Sequence, residues 1–93
     1  ATDQLFEAIL SLQNKEECYK FFEDICTIKE IEAMSQRLKV ARMLKEGATY
    51  DQVAEQTGAS TATISRVKRY LNYGADGYNL ILNRLLEEET EEK

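Results

Sequence analysis

Hydrophobic residues recur at helical spacing along most of this 93-residue chain, and short polar or glycine-containing stretches interrupt the pattern. The pattern predicts six helices, at about residues 3–13, 14–26, 28–46, 49–56, 60–73 and 76–86. Proline is absent and glycine occurs four times, while the helix-favouring residues Leu, Glu, Lys, Ala and Arg are abundant. The sequence therefore indicates an all-α protein, and its length leaves room for a single domain over residues 1–93.

Polar residues at the boundaries support these helix positions. Thr27 and Glu30 match a capping box, in which the threonine hydroxyl and the glutamate carboxylate each accept an exposed backbone N–H. Gly47 and Gly58 stand where a helix end needs a left-handed residue. The other N-caps that we expect are Asp3 (with Thr2 as the alternative), Asn14, Thr49, Ser60 or Thr61, and Asp76.

The apolar stripes divide the helices into two groups. The long third helix and the two helices after it each carry a stripe that one small core can cover. The predicted core positions are Ile31, Met34, Leu38, Ala41, Met43 or Leu44, Tyr50, Val53, Ala54, Ile64, Val67 and Leu71. The first two helices and the last are more broadly apolar than a monomer of this size can comfortably bury. We therefore expect a homodimer in which they pack against a second copy.

Residues 49–72 have the pattern of a helix-turn-helix, with a tight turn at Thr57, Gly58 and Ala59. The second helix presents small, polar or basic residues away from its apolar stripe, as a helix that enters a DNA major groove requires. In a two-fold dimer, two such helices can reach successive major grooves, about 34 Å apart. The DNA-binding residues that we predict are Thr49, Gln52, Ser60, Thr61, Ala62, Ser65, Arg66, Lys68 and Arg69.

The charge distribution bears on DNA binding because the whole chain is acidic, with a net charge of −5. Residues 87–93 carry five Glu and one Lys, and we expect this acidic tail to be frayed and solvated. Residues 37–73 carry seven basic and three acidic residues, and a locally basic segment fits one phosphate-facing surface. Within it, Lys68 and Arg69 come late in the second helix, and we expect them to touch phosphates.

The sequence gives little indication of metal binding, catalysis or membrane insertion. The chain has no histidine, and Cys18 and Cys26 alone fall short of a zinc site, so we expect no metal and no cofactor. The cysteines are interpreted as buried free thiols, with a redox switch or a disulfide as the alternative. No catalytic constellation is recognisable, so we do not expect an enzyme. No apolar run has the length of a membrane span and no signal peptide is visible, which predicts a cytoplasmic protein without membrane contact.

The chain resembles the Trp repressor superfamily over most of its length, and in particular the Trp repressor-related YerC/YecD group, and residues 27–71 carry the likeness. The likeness rests on the capping Thr27, the long helix that contains Arg37 and ends at Gly47, and the run VAEQTGASTATISRVKRYL. Its most specific part is Ala-Thr-Ile-Ser-Arg, residues 62–66. The resemblance implies an intertwined six-helix dimer that represses transcription by binding double-stranded operator DNA.

The Trp repressor also binds tryptophan as corepressor, and the resemblance carries this property over only in part. Val67 and Tyr70 stand where the family's ligand pocket has a glycine and a serine, and their larger side chains are expected to close the space that the ligand needs. We therefore expect a vestigial pocket and no tryptophan binding, with the effector unknown. The residues of this vestigial pocket are Thr27, Arg37, Thr63, Arg66, Val67 and Tyr70.

An alternative from another class stays open, namely a protein-interaction or dimerisation module whose helix-turn-helix is only scaffold. The acidic net charge is the feature that supports it. A continuous basic face that holds both recognition helices of a dimer would favour DNA, whereas isolated acidic surfaces would favour a protein partner.

Overall fold

The computed structural model describes residues 1–91 of the chain. This part contains six α-helices and no strand. The predicted all-α fold of six helices is thereby confirmed. The helices are α1 (Thr2–Leu10), α2 (Lys15–Ile25), α3 (Ile28–Lys45), α4 (Tyr50–Thr57), α5 (Thr61–Tyr73) and α6 (Gly77–Glu91). No helix in this part of the chain is long and apolar enough to cross a membrane.

The chain forms two compact units, and the first extends from Ala1 to Glu32. It contains α1, α2 and the beginning of α3, and neither α1 nor α2 has a fully buried residue. Phe21 and Phe22 pack edge to face, with their ring centroids 5.5 Å apart. The large apolar side chains of this unit that remain exposed are Leu5, Phe6, Leu10, Tyr19, Ile25 and Ile28.

Side-chain caps explain where α2 and α3 begin. Asn14 Oδ1 accepts the Glu17 N–H at 2.9 Å at the start of α2. At the start of α3, the Glu30 N–H donates to Thr27 Oγ1 at 3.1 Å, and the Thr27 N–H donates to the Glu30 carboxylate at 2.8 Å. The hydrogen bond from the Thr27 backbone, followed by the contact with its side chain, lowers the pKa of Glu30. The predicted cap at Asn14 and the predicted capping box are both confirmed.

α1 differs from its prediction at both ends. Asp3 lies inside the first turn, and the N-cap is Ala1, which makes no side-chain capping bond. The prediction of Asp3 or Thr2 as the cap was therefore wrong. The helix ends at Leu10, earlier than predicted, where the Ser11 hydroxyl donates to the Ala8 carbonyl at 2.6 Å. A serine that bonds the preceding turn offers the backbone an alternative to continued helix.

The second unit begins at Ala33, and α3, α4, α5 and α6 build its core. Ile64 and Val67 of α5 pack with Val40 of α3 and Val53 of α4, and each of the four is at most 1% exposed. This core holds α5, the predicted recognition helix, against its neighbours. The fully buried residues are Val40, Ala41, Val53, Ala59, Ile64, Val67 and Leu82. The single-domain organisation over residues 1–93 stays a prediction.

The buried side of α3 differs in part from the predicted stripe. Ala41 of that stripe is fully buried, as predicted, and so is Val40, whereas Met34 and Leu38, which the periodicity also placed in the core, are 39% and 38% exposed. α3 carries apolar residues on more than one side, and the later helices of the unit cover the side that includes Val40. Tyr50 in α4 is likewise 36% exposed rather than buried.

The end of α3 confirms one prediction and the start of α6 corrects another. Gly47 has φ +93° beyond α3, and the Ala48 N–H donates to the Met43 carbonyl at 3.0 Å, as in a Schellman-type helix end. Asp76, the predicted N-cap of α6, has φ +68°. Its carboxylate accepts a hydrogen bond from the Asn79 side-chain amide at 3.1 Å instead of capping a backbone N–H.

The acidic C-terminal segment is helical up to residue 91, and the fraying of the tail stays a prediction. α6 continues to Glu91, and the Glu89 carboxylate accepts a hydrogen bond from the Arg42 guanidinium. Arg42 also donates to Glu46 at 3.0 Å. The hydrogen bonds to Glu89 and then to Glu46 raise the pKa of Arg42. Residues 92 and 93 of the predicted tail lie outside the described residues.

Candidate nucleic-acid interface

α4 begins with a capping box that uses two of the predicted DNA-binding residues. The Gln52 N–H donates to Thr49 Oγ1 at 3.2 Å, and the Thr49 N–H donates to Gln52 Oε1 at 2.9 Å. Both side chains act only as acceptors in this capping box. The Thr49 hydroxyl and the Gln52 side-chain amide N–H groups can therefore still donate hydrogen bonds to another molecule. Their contact with phosphates stays a prediction.

The turn between α4 and α5 is fixed by Gly58 and by the side chain of Thr57. Gly58 has φ +71°, a conformation that other residues adopt only with strain. The Thr57 hydroxyl donates to the Val53 carbonyl at 2.7 Å and accepts the Ala59 N–H at 3.1 Å. Since Ala59 is only 6% exposed, the turn is packed into the unit.

α5 has one buried side and one exposed side. Its N-cap is Ser60, whose Oγ accepts the Thr63 N–H at 3.1 Å, and this decides between the two predicted caps. Ile64 and Val67 lie in the core. The predicted DNA-binding residues of the helix are all exposed. They are Thr61, Ala62, Ser65, Arg66, Lys68 and Arg69.

The exposed side of α5 is positively charged. The helix contains Arg66, Lys68 and Arg69 but no acidic residue, and no carboxylate within residues 1–91 forms an ion pair with these three. At the end of α3, by contrast, Arg42 is paired with two glutamates and Lys45 donates a hydrogen bond to α6. α5 therefore presents three cations that the described chain does not neutralise.

Two of these cations lie over aromatic rings. Lys68 Nζ is 5.3 Å from the ring centroid of Tyr50 in α4, and Arg66 Cζ is 5.9 Å from that of Tyr70. At exposed sites such contacts contribute about 0.5–1 kcal/mol. They restrict the two side chains without removing their charge, so both can still meet an anion.

A cavity of about 420 Å³ is lined by residues of α3, α5 and α6. Small-molecule sites typically measure roughly 300–1,000 Å³, so its size is sufficient for a ligand. Thr27 of the predicted vestigial pocket serves as the N-cap of α3. The wall brings together the other five residues of that prediction. These are Arg37, Thr63, Arg66, Val67 and Tyr70.

Val67 and Tyr70 both line this cavity, and the expectation that they close it to tryptophan stays a prediction. Val67 is 1% exposed because it belongs to the core, and Tyr70, at 48% exposed, lies beneath the Arg66 guanidinium. Each side chain therefore supplies a part of the wall and leaves volume beside it.

The cysteines belong to the first unit. Cys18 and Cys26 are free thiols, and both are half-buried rather than fully buried. Among the described residues, no group of three histidine, cysteine, aspartate or glutamate side chains could hold a metal ion.

Gln36 is a residue of this region that sequence analysis missed. Its side-chain amide donates to the Thr57 carbonyl at 3.1 Å and so connects α3 to the turn. The partner is a backbone carbonyl 21 residues away, which leaves no residue-type signal in the sequence.

Known proteins share this architecture. The family model described as Trp repressor protein matches residues 1–86. YerC of Bacillus subtilis (strain 168), a protein described as uncharacterized, is 64% identical over 89 residues, which cover 96% of this chain and 86% of YerC.

Two solved structures extend the likeness to three dimensions. A candidate Trp repressor from Staphylococcus aureus has a TM-score of 0.88 and 58% identity, over 90% of this chain and 84% of that chain. A TrpR-like protein from Eubacterium eligens ATCC 27750 has a TM-score of 0.87 and 63% identity, over 89% of this chain and 86% of that chain.

The six helices, the α4–α5 pair with its left-handed glycine turn, and the exposed basic side of α5 define an all-α helix-turn-helix protein. Within this class, the family match over most of the chain and the 64% identity to YerC identify the family. The chain belongs to the Trp repressor family, and the resemblance noted in its sequence is confirmed.

Proposed function

We propose that this protein is a sequence-specific DNA-binding transcriptional regulator that reads the major groove with α5. The observation that carries the proposal is the division of this helix. Ile64 and Val67 hold it in the core, while its opposite side exposes hydroxyl, methyl and guanidinium groups. Such groups contact base edges and phosphates. The protein would act by occupying DNA, without catalysis.

The contacts divide by position along the helix-turn-helix. The early exposed residues of α5 are suited to base edges, because the N-terminal part of a recognition helix enters the groove most deeply. We assign this role to Thr61, Ala62, Ser65 and Arg66. Residues at the margins of the motif are suited to phosphates, which fix the register without reading sequence. We assign that role to Thr49, Gln52, Ser60, Lys68 and Arg69.

We further propose that the protein acts as an intertwined homodimer. α1 and α2 have no fully buried residue, and several large apolar side chains of the second unit are also exposed. A soluble monomer rarely exposes so much apolar surface, and a second copy would cover it. These side chains of the second unit are Met34, Leu38, Leu80, Ile81 and Leu86. A concentration-independent monomer mass in sedimentation would contradict the dimer.

Repression is the outcome that we propose for DNA occupancy, with the cytoplasm as the place of action. Membership of the Trp repressor family supports both.

Selection of bound sequences from a random pool of double-stranded DNA tests the function directly. We expect enrichment of a two-fold symmetric site whose half-sites lie about one helical turn apart, since each recognition helix of a dimer reads one half-site. A symmetric site would support both DNA reading and dimerisation. No enrichment at low salt would contradict the proposal and favour a protein-interaction module.

We predict that tryptophan does not act as the corepressor. Calorimetric titration of the wild-type protein should show no stoichiometric complex at micromolar tryptophan. Arg37 and Arg66 could still hold a carboxylate, so exclusion rests on the bulk of Val67 and Tyr70 in the cavity wall. If the Tyr70 ring contributes, Tyr70→Ser should gain affinity. A stoichiometric micromolar complex of the wild type would contradict the steric argument.

A further inference from the structure

A polar side chain of α3 reaches the turn of the helix-turn-helix. Gln36 Nε2 donates to the carbonyl oxygen of Thr57 at 3.1 Å, in a partly buried position. Thr57 is the last residue of α4, and the final carbonyls of a helix have no partner within the helix itself. The Gln36 amide therefore satisfies a carbonyl that the left-handed turn at Gly58 would otherwise leave without a protein donor.

Thr57 is itself fixed on both sides of the turn. Its hydroxyl donates to the carbonyl of Val53 at 2.7 Å and accepts the N–H of Ala59 at 3.1 Å. The Gly58 N–H donates to the Ala54 carbonyl at 2.9 Å. Because these bonds make the turn rigid, a hydrogen bond from α3 to the Thr57 carbonyl fixes the position of the whole turn.

No other side chain of α3 makes a hydrogen bond to α4, α5 or their turn within residues 1–91. Arg42 and Lys45, the other polar links from α3 to later helices, bond to Glu89 and Asn79 of α6. The remaining attachment of α4 and α5 to α3 is apolar. Apolar contacts favour burial but are not directional, whereas a hydrogen bond requires alignment.

The far end of α5 has a similar amide anchor. Asn79 Nδ2 of α6 donates to the carbonyl of Leu71 at 3.0 Å, close to the C-terminus of α5. The helix-turn-helix is therefore attached by directional bonds at its turn and at its last helical turn. Gln36 supplies the one nearer to the N-terminus of α5, where the predicted base contacts begin.

We propose that Gln36 is a positioning residue, which fixes the orientation of the α4–α5 pair relative to α3 and so sets the angle at which α5 meets DNA. The role rests on the proposed DNA-binding function, but Gln36 is not assigned a contact with DNA. Its effect acts through the backbone of Thr57.

Gln36→Met is the test variant because methionine keeps the length of the side chain and removes the donor. Gln4→Met is the matched control, since Gln4 is exposed on α1 and its side chain makes no hydrogen bond within the described residues. Amide hydrogen exchange is measured on the free protein at Gly58 and Ala59, with Val40 and Ala41 as reference positions in the core. Affinity is measured for the selected DNA site and for unrelated DNA.

The expected result is local. A typical net hydrogen bond corresponds to about a fivefold change in an equilibrium constant, so exchange at Gly58 and Ala59 should rise about fivefold in Gln36→Met while Val40 and Ala41 stay unchanged. Affinity for the selected site should fall by about the same factor and affinity for unrelated DNA by less, because misorientation affects base contacts most. Gln4→Met should match the wild type throughout.

Two results would overturn the inference. Unchanged exchange at Gly58 and Ala59 in Gln36→Met would show that the hydrogen bond does not hold the turn. If amide exchange became faster by the same factor at all four positions and the melting temperature fell, Gln36 would stabilise the whole fold and not the turn in particular. If no DNA binds to the wild type but the local exchange effect is present, the function fails while the anchoring of the turn is supported.

Discussion

Ile64→Ala should lower the free energy of unfolding by about 2–5 kcal/mol, the usual range for truncation of a buried isoleucine to alanine. Ile64 is 1% exposed and packs in one cluster with Val40, Val53 and Val67. Only seven residues of the described chain are fully buried, so few other contacts can compensate for the lost methyl groups. Since small domains are stable by roughly 5–15 kcal/mol, this single change removes a large part of the total.

Urea denaturation followed by circular dichroism measures this effect. All variants must be compared at one protein concentration, because the stability of the proposed dimer would depend on concentration. Ser65→Ala is the control, since Ser65 is the next residue of α5 and is exposed; it should change the free energy of unfolding by no more than about 0.5 kcal/mol. Equal values for the two variants would show that the side of α5 bearing Ile64 is not its buried side.

The helix boundaries show what local chemistry can predict. Asn14, Thr27 and Thr49 were expected as caps and all three accept a backbone N–H in the structure. Gly47 and Gly58 were expected to be left-handed and have positive φ values. These features depend on residues within one helical turn, so the sequence contains the information. Asp3 failed because a suitable residue type does not by itself decide where a helix starts.

Burial in α3 was less predictable. Met34 and Leu38 lie at helical spacing from Ala41, yet Ala41 is fully buried together with Val40, which lies off that stripe, while Met34 and Leu38 are partly exposed. The period identifies sides of a helix, but the choice between two apolar sides depends on where the later helices lie. The partly exposed apolar side chains of α3 are available to pack against a second copy, which supports the proposed dimer.

The candidate site was predicted best where it lies on one helix. The exposure of Ser65, Arg66 and Arg69 followed from their positions off the apolar stripe of α5. Contacts between distant parts of the chain were not foreseen. Gln36 bonds a backbone carbonyl, and Arg42 bonds a glutamate 47 residues away in a segment expected to be frayed. Neither contact has a spacing that sequence analysis can recognise.

Replacing Lys68 and Arg69 together by glutamine should weaken DNA binding by at least about 100-fold at 0.1 M salt and flatten its salt dependence. If each residue neutralises one phosphate, a dimer loses four such contacts. Each contact contributes about −0.9 to the slope of log K against log salt concentration, so the slope should become less negative by about 3.6. The three cations of α5 have no ion-pair partner in the described chain, so the substitutions break no internal salt bridge.

Fluorescence anisotropy with the selected site and with unrelated DNA, at several salt concentrations, distinguishes the kinds of contact. Phosphate contacts carry no sequence information, so both affinities should fall together and the specificity ratio should persist. Lys20→Gln removes an equally charged side chain from α2, where Lys20 forms only an exposed pair with Glu16 at 3.7 Å, and should leave the slope unchanged. An unchanged slope in the double variant would place the DNA elsewhere on the protein. A reduced specificity ratio would instead assign Lys68 or Arg69 to base edges, and α5 would then enter the groove along more of its length than its first two turns.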